Sequence, residues 1–172
     1  VFTVHDQVYK LADLAIVSNG PKHVGTKVAG STIAVSGTVT NQGEDETGAN
    51  KVSYYLSSNE ILDSKDQLLR ETLFVTMSPG ATFPFNENLV IPAGATFGEY
   101  YILMVVDINK VVSEKDETNN IDSIRFTIKD PNGVQELAAE HNLTLAPNPA
   151  VEKLCINPSG FWKGETAAEI TL

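Results

Sequence analysis

The sequence predicts an all-β fold, two antiparallel sheets packed face to face, and three observations carry that prediction. Apolar and polar residues alternate at period two through most of residues 13–130. Turn residues (Gly, Pro, Asn and Asp) interrupt the alternation at short intervals. Nowhere do apolar residues recur at helical spacing over three turns, which excludes crossover helices and the parallel sheet they would serve.

The elements follow in order. "DLAIVS" (13–18) makes a short first strand. "STIAVSGTVTNQG" (31–43) puts Ile33, Val35, Gly37 and Val39 on one face and Thr32, Ser36, Thr38 and Thr40 on the other. "NKVSYYLSSN" (50–59) groups Val52, Tyr54 and Leu56 against Ser53, Tyr55 and Ser57. "QLLRETLFV" (67–75) is followed by the turn "SPG" at 78–80. "ATFPFNENLVIP" (81–92) sets Phe83, Phe85 and Leu89 together, and Pro84 assigns it to a sheet edge. "GEYYILMVVD" (98–107) is apolar on both faces, as a central strand requires, and "IDSIRFTIKD" (121–130) alternates again. Seven strands in about 115 residues, joined by short turns, describe an immunoglobulin-like β-sandwich. Such a chain buries enough apolar surface to fold without a disulfide.

The alternation stops at "DPNGVQELAAEHN" (130–142), read as a linker with up to two helical turns. Strand-like runs resume at 143–145, 153–156 and 168–172, a small partial β segment too short to hold a core alone. The expected organisation is a lead-in at 1–11, a sandwich at 12–130, a linker at 131–142 and a partial domain at 143–172. Phe161 and Trp162 are expected to anchor this tail. A chain beginning at Val1 reads as a piece of a longer, processed protein.

Composition narrows the function. Net charge is −10, with 22 acidic against 12 basic residues and no basic cluster, which disfavours nucleic acid and anionic lipid. Cys155 is the sole cysteine, so no intrachain disulfide or thiolate zinc site exists, and no apolar run spans a membrane. His5, His23 and His141 stand apart from any nucleophile motif, and no G-x-S-x-G elbow occurs. Glu114 and Glu117 lie on a turn, and a sandwich of this size offers little of the cleft a glycosidase needs. The reading is of a chain that is not an enzyme.

Three groups are candidate sites. The acidic stretch "VVDINKVVSEKDETNN" (105–120) is oxygen-rich, as calcium requires, but lacks EF-hand spacing. Its other reading is architectural: Asp107 and Asn109 bond nearby backbone, while Asn119 and Asn120 hold the last two strands in register. Asn59, Asp63 and Asp66, in "SSNEILDSKDQLL" (57–69), could converge on calcium or could shape a turn, with Asp63 capping backbone N–H groups. Tyr55 and Tyr101, opposite in direction to Tyr54 and Tyr100, could form an exposed aromatic platform for a surface glycan or be ordinary strand residues.

Two resemblances add to this. The ordered set "VTNQG", "YYLS", the Asp63/Asp66 loop, "SPG", "VIP" and a closing "EKDETNN" resembles CARDB, the cell-adhesion-related domain found in bacteria, over residues 12–128. That resemblance implies an extracellular, non-catalytic immunoglobulin-like module set between neighbouring domains of a secreted or surface protein. "LTLAPNPAVEKLCI" is similar to the opening of the type IX secretion C-terminal sorting domain, with Pro147, Asn148, Pro149 and Ala150 matching its turn. It implies a Bacteroidetes-type bacterium, type IX secretion machinery as partner and a destination outside the cell or on the outer-membrane surface. The family pattern continues past Leu172, where this chain stops. The alternative function is a carbohydrate-binding accessory module of a polysaccharide-degrading enzyme.

Overall fold

A computed structural model describes residues 9–129, together with the backbone of three strands at 143–146, 153–158 and 168–171. Residues Val1–Pro131 and Asn132–Leu172 form separate compact units.

The described residues of the first unit contain eight strands: β1 (Leu14–Ser18), β2 (His23–Val28), β3 (Thr32–Asn41), β4 (Asn50–Ser57), β5 (Gln67–Phe74), β6 (Thr82–Val90), β7 (Gly98–Val106) and β8 (Ile121–Lys129). They form a three-stranded sheet, β1-β3-β6, and a five-stranded sheet, β2-β8-β7-β4-β5. This is the all-β sandwich that the alternation predicts. Pro84 does sit on an edge strand, where its missing N–H costs no ladder bond on the open side, and β7 is central as its two apolar faces demand.

The eighth strand is β2, which the sequence reading passed over. "HVGTKV" shows no alternation, carries Gly25 at φ 74°, and is nowhere fully buried. It also pairs parallel with β8, unlike every other pair in the unit. Together β1 and β2 are one path that changes sheets. β1 covers only half of β3, ending with Ser18 opposite Gly37; the chain then crosses and joins β8 at Arg125. Asp122 fixes the crossing, accepting the Ser18 N–H at 2.6 Å and pairing with Lys22, while the Arg125 N–H donates to the Lys22 carbonyl at 2.7 Å. Burial opposes ionisation of Asp122, but Lys22 and the N–H groups of Ser18 and Ser123 outweigh it and hold the carboxyl below its ordinary range. On the other flank Glu87 of β6 bridges to β5, accepting from Arg70 at 2.5 Å and Thr72 at 2.7 Å. Each open side of the sandwich is therefore latched by one carboxylate.

Inward residues of both sheets make one core, including Leu14, Ile33, Val39, Val52, Tyr54, Leu89, Ile102, Met104 and Phe126. Gly37 is obligatory within it. A Cβ there would lie 2.3 Å from the Phe85 ring, which covers the glycine and meets Tyr54 edge-on at 5.7 Å. Burial pushes the Tyr54 phenol up to about 12, so it stays neutral beside the Glu87 latch.

In the second unit β9 (Leu143–Ala146), β10 (Lys153–Pro158) and β11 (Ala168–Thr171) form an antiparallel sheet with β10 central. The sorting-turn residues Pro147, Asn148, Pro149 and Ala150, like His5, His141, Phe161 and Trp162, lie outside the described residues.

Candidate functional site

The acidic corner is built by four chain segments that meet at one end of the sandwich. β1 begins there, with Leu14 opposite Asn41; β3 ends there, β6 starts there, and the β7–β8 loop (107–120) folds over them. Three of its acids, Asp13, Asp107 and Glu114, are buried, while Asp116 and Glu117 stay exposed. Asp107 is 2% exposed and adopts φ 47°; its Oδ1 accepts from Asn50 at 3.0 Å and Val111 N–H at 3.1 Å, and its Oδ2 from Val112 N–H at 2.9 Å. An Asp tolerates that left-handed backbone because its carboxylate bonds the turn it creates. Glu114 accepts the Leu14 N–H at 3.2 Å and the Asn120 side-chain amide, while the Asn119 amide donates to Asp13 at 2.7 Å. Main-chain bonds Ile16 N–H to Asn119 and Val106 N–H to Asn120 complete the register of β1, β7 and β8. Burial pushes the Glu114 carboxyl above its ordinary range, against the bonds from Asn120 and Leu14. Asp107, Asn119 and Asn120 thus act as the architectural reading expects; among the described residues no hydrogen bond ties Asn109 into this set.

Sequence reasoning missed the residue on which the corner turns. Asn41 is fully buried and its side chain makes four hydrogen bonds: it accepts from Asp13 N–H and Gly43 N–H at 3.1 and 3.0 Å, and donates to the Asp45 and Met77 carbonyls at 2.7 and 3.0 Å. That satisfies both donors and both oxygen lone pairs of the amide. The signal was present in "VTNQG": Asn41 shares the inward parity of Val35, Gly37 and Val39, a polar residue at a core position. Gly43 beside it has no room for a side chain, since a Cβ would fall 2.4 Å from the Leu11 carbonyl oxygen.

The loop between β4 and β5 is different in kind. Asn59 Oδ1 accepts Ile61 N–H at 2.7 Å, Asp63 Oδ1 accepts Lys65 N–H at 2.7 Å, and Asp66 Oδ2 accepts Asp63 N–H at 2.8 Å. Each bond is local and exposed, and each shapes a turn. Among the described residues no three His, Cys, Asp or Glu side chains are grouped to hold a metal ion.

Tyr55 and Tyr101 lie on the outward face of the five-stranded sheet, on the paired strands β4 and β7. Tyr55 stands opposite Leu103 and Tyr101 opposite Ser57, so the two rings are diagonal neighbours flanking a buried Leu103. Both are half-buried, and burial, followed by the Glu71 carboxylate, raises the Tyr55 pKa. Ion pairs border them: Lys51–Glu71 at 2.6 Å and Arg125–Glu99 at 2.9 Å. Tyr54, by contrast, is wholly in the core, as its opposite parity requires.

Comparison with known proteins agrees with this architecture. The CARDB domain of a Pyrococcus furiosus protein, crystallised in complex with di-metal ions, is 22% identical with a TM-score of 0.53, over 70% of this chain and 96% of that one. The solution NMR structure of that domain gives the same identity and TM-score and is covered to 97%. A β-glucosidase of Listeria innocua in complex with glucose matches 69% of this chain but 16% of its own length, at 14% identity and a TM-score of 0.46. No curated protein matches the sequence. The CARDB family model matches residues 11–124, and with the sandwich described above this chain belongs to CARDB, a family of non-catalytic modules related to cell adhesion.

Proposed function

We propose that this chain is an extracellular connector: a module that holds neighbouring domains of a secreted or surface bacterial protein at a fixed separation. One observation carries the reading. The chain enters the sandwich at the acidic corner, where Leu14 meets Asn41, and leaves at Lys129, the far end of β8. β8 starts at that same corner and runs its nine residues away from it, so the two ends are about 30 Å apart. A domain threaded from end to end, latched on both flanks, passes force and orientation along its length and needs no chemistry. The bounds 12–130 for the connector and 143–172 for a sorting segment belong to this proposal, as do the sorting turn at 147–150 and export by type IX secretion machinery.

Two experiments test it. With fluorescent reporters fused to both sides of residues 12–130, energy transfer should report one narrow distance, where an equally long Gly/Ser linker gives a broad one. A distribution as broad as the linker's contradicts the connector, and so does hydrolytic turnover by the purified chain. No resident metal is part of the function. The Pyrococcus domain was solved with di-metal ions, so chelation is the direct check: excess EDTA should leave Tm unchanged, whereas a fall would assign a cation to the fold.

A further inference from the structure

The end of the sandwich opposite the acidic corner carries a cavity of about 490 Å³ between the β4–β5 and β6–β7 loops, a volume in the range of small-molecule pockets. Its lining joins apolar surface from Leu56, Ala95 and the ring of Tyr100 to the polar groups of Asp66, Gln67 and Thr96. Tyr100 is placed by the core behind it: its ring packs on Phe126 at 6.2 Å, and its hydroxyl is 2.9 Å from Thr96 Oγ1. Asp66 is held by the turn through its bond from Asp63 N–H. The one ammonium of the lining, Lys65, offsets the one carboxylate, Asp66, so the cavity has no net charge with which to select an ionised ligand.

An aromatic ring beside hydrogen-bonding groups of no net charge suits a ligand with one apolar face and a hydroxylated rim. We propose that this cavity binds a neutral saccharide, a sugar ring stacking on Tyr100 while its hydroxyls bond Gln67, Asp66 and the Thr96–Tyr100 hydroxyl pair. The site is distinct from the Tyr55/Tyr101 face, which lies on the outside of the five-stranded sheet. A connector needs no such cavity, so this inference and the connector reading succeed or fail separately.

The test is titration of the full chain with neutral oligosaccharides of glucose, mannose and xylose, and with an oligogalacturonate as the charged control, followed by amide shifts in ¹H–¹⁵N spectra. Shifts confined to Ser58, Gln67, Ala95 and Thr96 are expected with at least one neutral saccharide. Gln67→Ala should weaken that binding about tenfold without moving Tm, because Gln67 is exposed and outside the core. Tyr100→Phe, which keeps the ring and its packing, should weaken it by loss of the hydroxyl. The proposal is overturned by no shift with any neutral saccharide at about 10 mM, the weak limit of specific binding. It is equally overturned by preference for the charged control, or by shifts centred on Tyr55 and Tyr101.

Discussion

Two loops of this domain are built from the same residues and do opposite things. The β4–β5 loop and the β7–β8 loop are both rich in Asp, Glu and Asn, yet the bonds of Asn59, Asp63 and Asp66 in the first reach two or three residues along the chain, beside one exposed 3.4 Å bond from Ser123 to Glu60, while Asp107, Glu114 and Asn119 in the second also bond residues far across it. Glu114 accepts from Leu14, 100 residues away, Asn119 reaches Asp13 across 106, and Asp107 reaches Asn50 across 57. Local, solvated bonds select a turn and add little stability. Buried bonds between distant segments hold the fold, since losing one partner leaves the other desolvated and unpaired.

Mutation should separate the two loops by size of effect. Asn41→Ala is expected to cost most, roughly 4 kcal/mol in a urea melt, because it strands Asp13 N–H and Gly43 N–H together with two carbonyls. A loss below about 1 kcal/mol would mean that water repairs the corner and that burial is not what distinguishes it. Asp107→Ala should cost roughly 2–3 kcal/mol, by orphaning Val112 N–H and the Asn50 amide.

Acid titration comes next. The bond from Thr72, then Arg70, holds the Glu87 carboxyl below its ordinary range. Its contribution is therefore complete above its unfolded pKa and is lost as the pH falls through the folded value. Glu114, raised by burial, runs the other way: it favours the folded state below its unfolded pKa and loses that contribution as the pH rises through the folded one. Thermal melts at several acidic pH values should show Glu87→Gln flattening the loss of stability in acid and Glu114→Gln steepening it. The reverse pattern would remove the latch and the buried corner from the account. The smallest effect belongs to the other loop, where Asp63→Ala should change stability by about 0.5 kcal/mol in the same urea melt. A change as large as that for Asp107 would erase the contrast.

Much of the fold was readable because alternation reports one half-buried face. β3, with Ile33, Val35 and Val39 inward, and β6, with Pro84 at its edge, are cases where a single local rule decides. β2 was unreadable for the converse reason. It is a parallel edge strand buried on neither face, and its pairing with β8 depends on residues just over a hundred positions away. The corner was half legible. Asp107 in a turn follows from its residue type, but that Glu114 points inward to Leu14 follows only from tertiary geometry. The 490 Å³ cavity belongs wholly to that second class, since Leu56, Gln67, Ala95 and Tyr100 come from segments with no shared pattern.

A connector requires end-to-end passage of the chain through the sandwich. Spin labels at Lys10→Cys and Lys129→Cys, with Cys155→Ser to remove the one native thiol, measure it directly by electron–electron double resonance; both lysines are exposed. A single narrow distribution near 30 Å is expected, the length of a nine-residue strand. A mean below about 15 Å, half that length, would place both ends on one side, and the domain would then be a pendant rather than a connector.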